Sequence, residues 1–206
     1  SGHRRRADLA LRRGPGGIVA GFHRAGSPEV LDIAACTVLD PRLVGLLDPL
    51  RAMLKRLPAL RREGSAVVNL LDTGPDLLLR TDGPLAPSDR AMLAAFAAEA
   101  GIPRIAWALK DGPAEVAAQI GPATIALSGA TIAPAPGAFL QASPEGEAAI
   151  VAAVLAALPA KLTGRGRIAD LHAGLGTLSI PLAARGRVAA FESDAAAVAA
   201  LSGAAG

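Results

Sequence analysis

The sequence predicts an α+β domain followed by the beginning of an α/β domain. Short apolar strands, turns rich in glycine and proline, and two helical segments fill residues 1–136. Residues 137–206 instead contain an alanine-rich helix, a strand, a glycine loop, a helix and a second strand, which is the order of a βαβ unit. A chain of 206 residues has room for one or two domains, and we place the change of domain at residue 136.

The first strands are predicted from alternation and from turn residues. Ala7, Leu9 and Leu11 alternate with more polar neighbours, and a Gly14–Gly17 turn separates them from a second strand at Ile18–Phe22. A third strand follows at Val30–Ile33. Short connections of this kind favour an antiparallel meander.

Helical periodicity appears in the next segment. Leucines recur at three- and four-residue spacing from Leu43 to Leu57, and Pro49 and Pro58 are expected to break or kink this helix. A strand pair follows around Gly74, and a second helix runs from Pro87 or Ser88 to Ala100, with Gly101 closing it. Further short strands are predicted over 104–109, 114–120, 124–127 and 130–133.

The C-terminal elements have recognisable ends. Ser143 is a good N-cap, and Pro144 suits the first helical position, so a helix is predicted from there to about Ala160, with Gly164 breaking it. The βαβ unit then consists of a strand, a helix and a second strand, at Arg167–Leu171, Thr177–Ala184 and Val188–Phe191.

Composition narrows the class of protein. The net charge is only +3, but 18 of the 21 basic residues are arginine, which recognises phosphate better than lysine does. Coding bias and a solvated strand face explain such a pattern equally well. The longest apolar run, Ala148–Leu158, is too short to span a bilayer, and no secretory leader is visible, so we expect a cytoplasmic protein with no membrane partner.

The segment Asp170–Thr177 carries the clearest chemical signal. A strand leads into a loop with Gly174 and Gly176, and Glu192 ends the next strand. An acid in that position accepts hydrogen bonds from ribose hydroxyls, so the segment predicts a nucleoside cofactor pocket. Ser179 replaces the third glycine of a dinucleotide fingerprint, which favours S-adenosylmethionine. A tight turn that binds no ligand remains the alternative.

Several segments together resemble one enzyme family. Asp170–Leu182, DLHAGLGTLSIPL, resembles the first cofactor motif of the RNA uracil-5-methyltransferases, which methylate C5 of uridine in ribosomal or transfer RNA. Phe139–Gln141, Gly21–Arg24, Val30–Leu39 and the basic start Arg4–Arg6 are similar to further segments of that family, in the same order. The resemblance implies that the second domain is a Rossmann-like class I methyltransferase domain.

The resemblance also implies roles for particular residues. Glu192 would bind the ribose, and His172 stands where the family usually has an aromatic residue. The predicted S-adenosylmethionine-binding residues are Gln141, Asp170, His172, Gly174, Gly176, Thr177 and Glu192. The basic segment predicts contacts with RNA phosphates from Arg4, Arg5, Arg6, Arg12, Arg13 and Arg24.

Cys36 is the single cysteine of the chain. One cysteine excludes an internal disulfide framework and a complete cysteine-based metal site within this chain. The resemblance implies that Cys36 is the last ligand of a 4Fe-4S cluster that is complete only in a full-length protein. A small buried apolar side chain is the simpler interpretation of a lone cysteine.

The family's reaction uses a cysteine nucleophile and a base from late strands of the methyltransferase domain. We assign neither to this chain and expect an internal fragment of such an enzyme that is inactive by itself, in which residues 137–206 form an incomplete domain. Two alternatives stay open: a basic RNA-binding module without catalysis, and a small-molecule methyltransferase with an unrelated N-terminal domain. The sequence indicates neither the target uridine nor the oligomeric state.

Overall fold

The computed structural model describes residues 2–159 and 167–204. The chain divides into two compact units, Ser1–Ala123 and Thr124–Gly206. The division falls before the predicted change of domain at residue 136, because the hairpin that follows Ala123 belongs to the second unit.

A seven-stranded sheet organises the first unit. Strands β1, β2 and β3 form the predicted antiparallel meander, and β4–β5 form the predicted hairpin. The order across the sheet is β3-β2-β1-β4-β5-β6-β7, with β5 and β6 parallel and the other neighbours antiparallel. The strands are β1 (Arg6–Gly14), β2 (Gly17–His23), β3 (Val30–Asp32), β4 (Glu63–Leu71), β5 (Gly74–Thr81), β6 (Arg104–Leu109) and β7 (Glu115–Gln119).

Helices α1 (Pro41–Arg56) and α2 (Pro87–Ala100) supply the rest of the main core. The predicted alternation is confirmed, because Leu9 and Leu11 are buried and pack with leucines of α1 and with Phe96 of α2. Apolar area removed from water contributes about 25 cal/mol per Å². The helices therefore pack against the face of the sheet that carries Leu9 and Leu11, because this buries the apolar side chains of both.

The ends of both helices follow from sequence signals. Asp40 accepts a hydrogen bond from the Arg42 amide at the start of α1 (2.9 Å), and Gly101 ends α2 with a φ of 61°. Of the break or kink predicted at Pro49, the break is wrong, because α1 continues through this residue, whereas α1 ends at Arg56, before Pro58. Pro49 is exposed, whereas Leu50, Met53 and Leu54 beyond it are buried, so packing offsets the lost backbone hydrogen bond.

A polar row crosses the other face of the sheet. The strand registers place Arg6, Asn69, Asp76 and Arg104 side by side on four neighbouring strands. Arg104 Nε and Nη2 each donate to the Asp76 carboxylate at 2.8 Å. The Asp76 side chain is 0% exposed and that of Arg104 is 11% exposed, so each charge depends on the other for solvation.

The second unit contains the predicted βαβ unit. Its elements are β8 (Ile125–Leu127), β9 (Ala130–Ile132), α3 (Pro144–Ala157), β10 (Arg167–Leu171), α4 (Ser179–Ala183), β11 (Arg187–Phe191) and α5 (Ala195–Ala204). Strands β10 and β11 are parallel, as predicted, and β8 pairs with β9. In the described ranges, no helix combines the length and the apolar character that crossing a membrane requires.

Three features of the second unit differ from the prediction. Helix α3 ends at Ala157 rather than near Ala160, and the predicted break at Gly164 lies outside the described residues. The helix predicted at Thr177–Ala184 is shorter, because Thr177 and Leu178 still belong to the turn that precedes α4. Helix α5 was not predicted, since residues 195–204 are mostly alanine and show little amphipathic periodicity.

The buried ion pair generates a stability prediction. Asp76→Asn leaves the Arg104 guanidinium buried without its counter-charge, so we expect a loss of about 3–5 kcal/mol in the free energy of unfolding. Urea unfolding followed by Trp107 fluorescence measures it. The matched variant Glu29→Gln breaks a pair whose side chains are both more than half exposed, and it should cost less than about 1 kcal/mol. Equal losses in the two variants would contradict the prediction.

Candidate functional site

The candidate site lies where β10 and β11 end. Their parallel register pairs Leu171 with Phe191, so the loop after β10 and the residue after β11 reach the same edge of the sheet. The Ala173 amide donates to the Phe191 carbonyl at 3.1 Å. Ligands of open α/β sheets bind outside the carboxyl ends of the strands, and this edge has that geometry.

Glu192 joins the two strand ends through its carboxylate. Oε2 accepts a hydrogen bond from the Gly174 amide at 2.8 Å. Oε1 accepts from the Ser193 and Asp194 amides at 2.7 and 2.9 Å. The backbone amides of Asp194, Gly174 and Ser193 lower the pKa of Glu192 from 4.5 to about 2, so the carboxylate is ionised at neutral pH.

The glycine loop needs unusual backbone conformations. Gly174 and Gly176 have φ values of 55° and 91°, and His172 also has a positive φ, 61°. A β-carbon at Gly176 would lie 2.4 Å from Leu201 Cδ1 and 3.2 Å from Ile180 Cδ1. The positive φ favours glycine at 176, and any side chain there would have to displace the ends of Leu201 and Ile180. A histidine with positive φ is uncommon and often marks a functional loop.

The loop borders a cavity of about 320 Å³. This volume falls within the usual range of small-molecule sites, roughly 300–1,000 Å³. The structure brings six of the seven residues predicted to bind the cofactor to its wall, and Gly176 instead shapes the loop beside them. The six are Gln141, Asp170, His172, Gly174, Thr177 and Glu192.

Ser179 has a role that the sequence did not indicate. Its Oγ donates to Asp170 Oδ2 at 2.6 Å, and both residues are buried, with 6% and 8% of their surfaces exposed. A buried carboxylate needs such a donor. Because Asp170 also lines the cavity, Ser179 fixes the position of one wall. This bond explains why a serine stands at the third glycine position of a dinucleotide fingerprint.

Sequence reasoning also missed other residues of the cavity wall, among them Asp194 and Phe139. Asp194 lines the cavity and accepts a hydrogen bond from the Ala196 amide at 2.8 Å, at the start of α5. An aspartate directly before an alanine run is an N-cap signal that could have revealed this helix. Phe139 also lines the cavity, although 71% of its surface is exposed.

The six arginines predicted to bind RNA occupy different environments. Arg13 donates to four carbonyls at and after the end of α1, at 2.6–3.1 Å. Its guanidinium therefore caps a helix, as cationic side chains near a C-terminus often do. Arg5 is buried, and Arg24 forms an ion pair with Glu29 at 2.7 Å.

The other three arginines of this set differ in which protein groups their guanidinium groups contact. Arg4 donates to the Arg6 carbonyl at 3.2 Å, and Arg6 lies 3.6 Å from the Asp8 carboxylate. Arg12 is exposed, and no protein group in the described part of the chain binds its guanidinium. The structure therefore does not gather the six residues into one surface.

Cys36 lies half-buried between β3 and α1. Within residues 2–159 and 167–204, no group of three or more histidine, cysteine or acidic side chains is arranged to hold a metal ion. A four-iron cluster takes about four thiolates, and this chain has one. The donor set therefore does not fit the cluster, which stays a prediction about a longer protein.

Comparison with known proteins gives a consistent set of relatives. No family model matches the chain. It is 33% identical over 198 residues to an uncharacterized RNA methyltransferase of Mesorhizobium japonicum, covering 96% of this chain and 46% of the relative. It is 34% identical over 183 residues to a 23S rRNA (uracil(1939)-C(5))-methyltransferase of Pectobacterium carotovorum, with coverage of 88% and 40%. The chain thus spans less than half the length of these relatives.

One solved structure has the same fold. The Pyrococcus abyssi tRNA (uracil-54, C5)-methyltransferase, solved with S-adenosyl-L-homocysteine, superposes with a TM-score of 0.69 at 19% identity, covering 98% of this chain and 51% of that chain. The predicted fold class, an α+β domain followed by part of a Rossmann-like methyltransferase domain, is confirmed. The chain is therefore similar to RNA methyltransferases over 88–96% of its length, and this likeness agrees with its motifs, which resemble those of the RNA uracil-5-methyltransferase family.

The hydrogen bonds of Glu192 generate a prediction about pH. Because its folded pKa lies below its ordinary value, the carboxylate stabilises the loop fully above pH 4.5, and this contribution fades as the pH falls towards about 2. NMR of the Glu192 carboxyl carbon should show a midpoint near 2. In Glu192→Gln, the Gly174 amide should lose its pH dependence in this range. A midpoint near the ordinary value of 4.5 would contradict the prediction.

The bond between Ser179 and Asp170 generates a second prediction for this site. Ser179→Ala leaves a buried carboxylate without its donor, at a cost of about 1.5–3 kcal/mol, or about 10–100-fold faster amide exchange. Hydrogen exchange at Ile180 and Leu182, whose amides bond within this turn, measures it. Ser193→Ala removes an exposed 3.3 Å bond and should change little, whereas Ser179→Thr should restore protection. Equal effects of the two alanine variants would exclude this role for Ser179.

Proposed function

We propose that this chain forms the S-adenosylmethionine pocket, and part of the RNA-binding surface, of an enzyme that methylates C5 of uridine in ribosomal or transfer RNA. The proposal depends on one observation: the Glu192 carboxylate and the glycine loop meet across the parallel strand ends and border a cavity. The relatives support the choice of RNA, since they are RNA methyltransferases.

The polar groups of the cavity fit a nucleoside cofactor. Each carboxylate oxygen has about two lone pairs. Glu192 Oε2 accepts one bond, from the Gly174 amide, within the described residues, and so it can accept a second from a ribose hydroxyl. Oε1 already accepts from two amides and from the Ser193 hydroxyl. Glu192 therefore has one acceptor position left, on Oε2, and in this proposal it binds one ribose hydroxyl rather than both.

The side chains then act by binding and orienting. S-adenosylmethionine supplies an electrophilic methyl group when it is bound. Glu192 stays ionised across the physiological pH range, so its acceptor does not depend on pH there. Ser179 holds Asp170, and Glu192 holds Gly174, so two walls of the pocket are organised before binding, which lowers the cost of ordering them. We assign no catalytic nucleophile or base to this chain, and no step involves Cys36.

Titration calorimetry of the 206-residue chain with S-adenosylhomocysteine tests the pocket. Glu192→Gln keeps the shape of the side chain but removes the charge that receives the hydroxyl. Hydrogen bonds to charged groups contribute about 1.5–3 kcal/mol, so we expect about 10–100-fold weaker binding. Glu145→Gln, in the exposed first turn of α3, should bind like the unmodified chain. Equal affinity for both variants would exclude the ribose role of Glu192.

A second assay tests the reaction. Because we assign no nucleophile or base to this chain, the assay uses the full-length protein that contains it. That protein is incubated with S-adenosylmethionine and transcripts of ribosomal or transfer RNA, and 5-methyluridine is measured by mass spectrometry of the nucleosides. Formation of 5-methyluridine supports the enzyme. Binding of RNA without any 5-methyluridine would favour the non-catalytic RNA-binding module.

A further inference from the structure

The first unit has a groove at one end of its sheet that no function has been assigned to so far. It has a volume of about 460 Å³ and lies where neighbouring ends of β1, β4, β5 and β6 come together. Four cationic side chains line it. Arg80 of β5 donates to backbone carbonyls. The other three come from three different segments: Arg12 in β1, Arg62 just before β4, and Lys110 just after β6. We call it the cationic groove.

Arg12, Arg62 and Lys110 have no side-chain partner among the residues that the structure describes. Arg12, Arg62 and Lys110 are exposed, and in the described part of the chain none of their side chains forms an ion pair or a hydrogen bond. This contrasts with Arg13 and Arg24, whose guanidinium groups bind carbonyls or a carboxylate. The side chains of Arg12, Arg62 and Lys110 can therefore bind an anion without first breaking a bond to the protein.

Two hydrogen-bond networks position the loops that carry these cations. Asp82 accepts from the Arg61 and Arg62 amides at 2.7 and 3.0 Å, which fixes the chain entering β4. Arg80 donates to the Lys110 and Gly112 carbonyls at 2.8 and 3.2 Å, which fixes the turn after β6. In each network the charged side chain, Asp82 or Arg80, bonds to backbone groups of the loop. The loop is therefore held in place, while the side chain of Arg62 or Lys110 forms no bond within the network.

The floor between these cations is made of small side chains. Ala10 and Ser65 are register partners on β1 and β4 and line the groove, as does Gly64. A β-carbon at Gly64 would lie 2.2 Å from the Arg80 carbonyl oxygen, so no side chain fits there. Three acids, Glu63, Asp82 and Asp111, also line the groove, against four arginine and lysine side chains. Asp82 accepts hydrogen bonds from backbone amides.

From this arrangement we infer that the cationic groove binds the sugar–phosphate backbone of the RNA substrate through Arg12, Arg62 and Lys110. Three unpaired cations separated by a floor of small residues suit an extended polyanion, whereas a small anion needs cations that converge on one point. The inference rests on the proposed function for the choice of RNA. It replaces the basic segment that the sequence suggested with residues from three segments, and it retains only Arg12 of the six predicted arginines.

The test is the salt dependence of RNA binding by the 206-residue chain. Fluorescence anisotropy with a labelled single-stranded RNA of mixed sequence gives the affinity at several salt concentrations. Each phosphate contact on a single strand contributes about 0.7 to the slope of log K against log salt. The variant Arg12→Gln/Arg62→Gln/Lys110→Gln should therefore reduce the slope by about 2 and weaken binding at low salt at least tenfold.

A matched control removes the same charges elsewhere. Arg42→Gln/Arg56→Gln/Lys55→Gln changes three exposed side chains of α1 that do not line the groove and should leave the slope unchanged. The charge-keeping variant Arg12→Lys/Arg62→Lys/Lys110→Arg should keep most of it. Equal losses in the groove variant and the control, or no RNA binding by the unmodified chain, would overturn the inference.

Calorimetry separates this inference from the proposed function. The groove variant should bind S-adenosylhomocysteine like the unmodified chain, because none of its three residues lines the cofactor cavity. If the chain binds RNA through the groove but binds no cofactor, the proposed function fails and the groove stands. If it binds the cofactor and the groove variant keeps the full salt slope, the groove fails and the pocket stands.

Discussion

The parallel pairing of β10 with β11 is the constraint on which the candidate site depends. It brings a glycine loop and an acid that are 18 residues apart to one edge, where the Glu192 carboxylate accepts backbone amides from both strand ends. Those amides would otherwise be unpaired, and the carboxylate would titrate at a higher pH. One side chain therefore closes the loop and, in the proposed function, also receives the ligand.

In the first unit, besides the ion pairs, several charged side chains also organise the backbone. Arg13 holds the end of α1, Asp82 the chain entering β4, and Arg80 the turn after β6. Such bonds place a charge where several carbonyls or amides converge and fix a loop at little entropic cost. A count of arginines therefore overstates the charge available to a polyanion, and the location of the unpaired cations is the better guide.

Much of the fold could be predicted because local signals and tertiary structure agree. Asp40, Ser143 and Gly101 cap the helices as their residue types suggest, and strand alternation identified the buried face of β1. The prediction was wrong at Pro49, where packing on both sides offsets a local penalty. It missed α5, since a run of alanine shows no apolar stripe, and Ser179, because a buried donor is recognised only beside its acceptor.

The sequence by itself determined the α+β and βαβ organisation, the resemblance to one enzyme family, and the residues of the glycine loop with Glu192, because these depend on periodicity, caps and a contiguous motif. Only the tertiary structure decided which charges remain available. Arg12 and Arg13 are neighbours in the sequence, yet strand alternation sends them to opposite faces of the sheet. One caps a helix, and the other lines the groove beside Arg62 and Lys110. The sequence alone does not separate the roles of Arg12 and Arg13, because the residues beside Arg12 in the groove come from segments about 50 and 100 residues away along the chain.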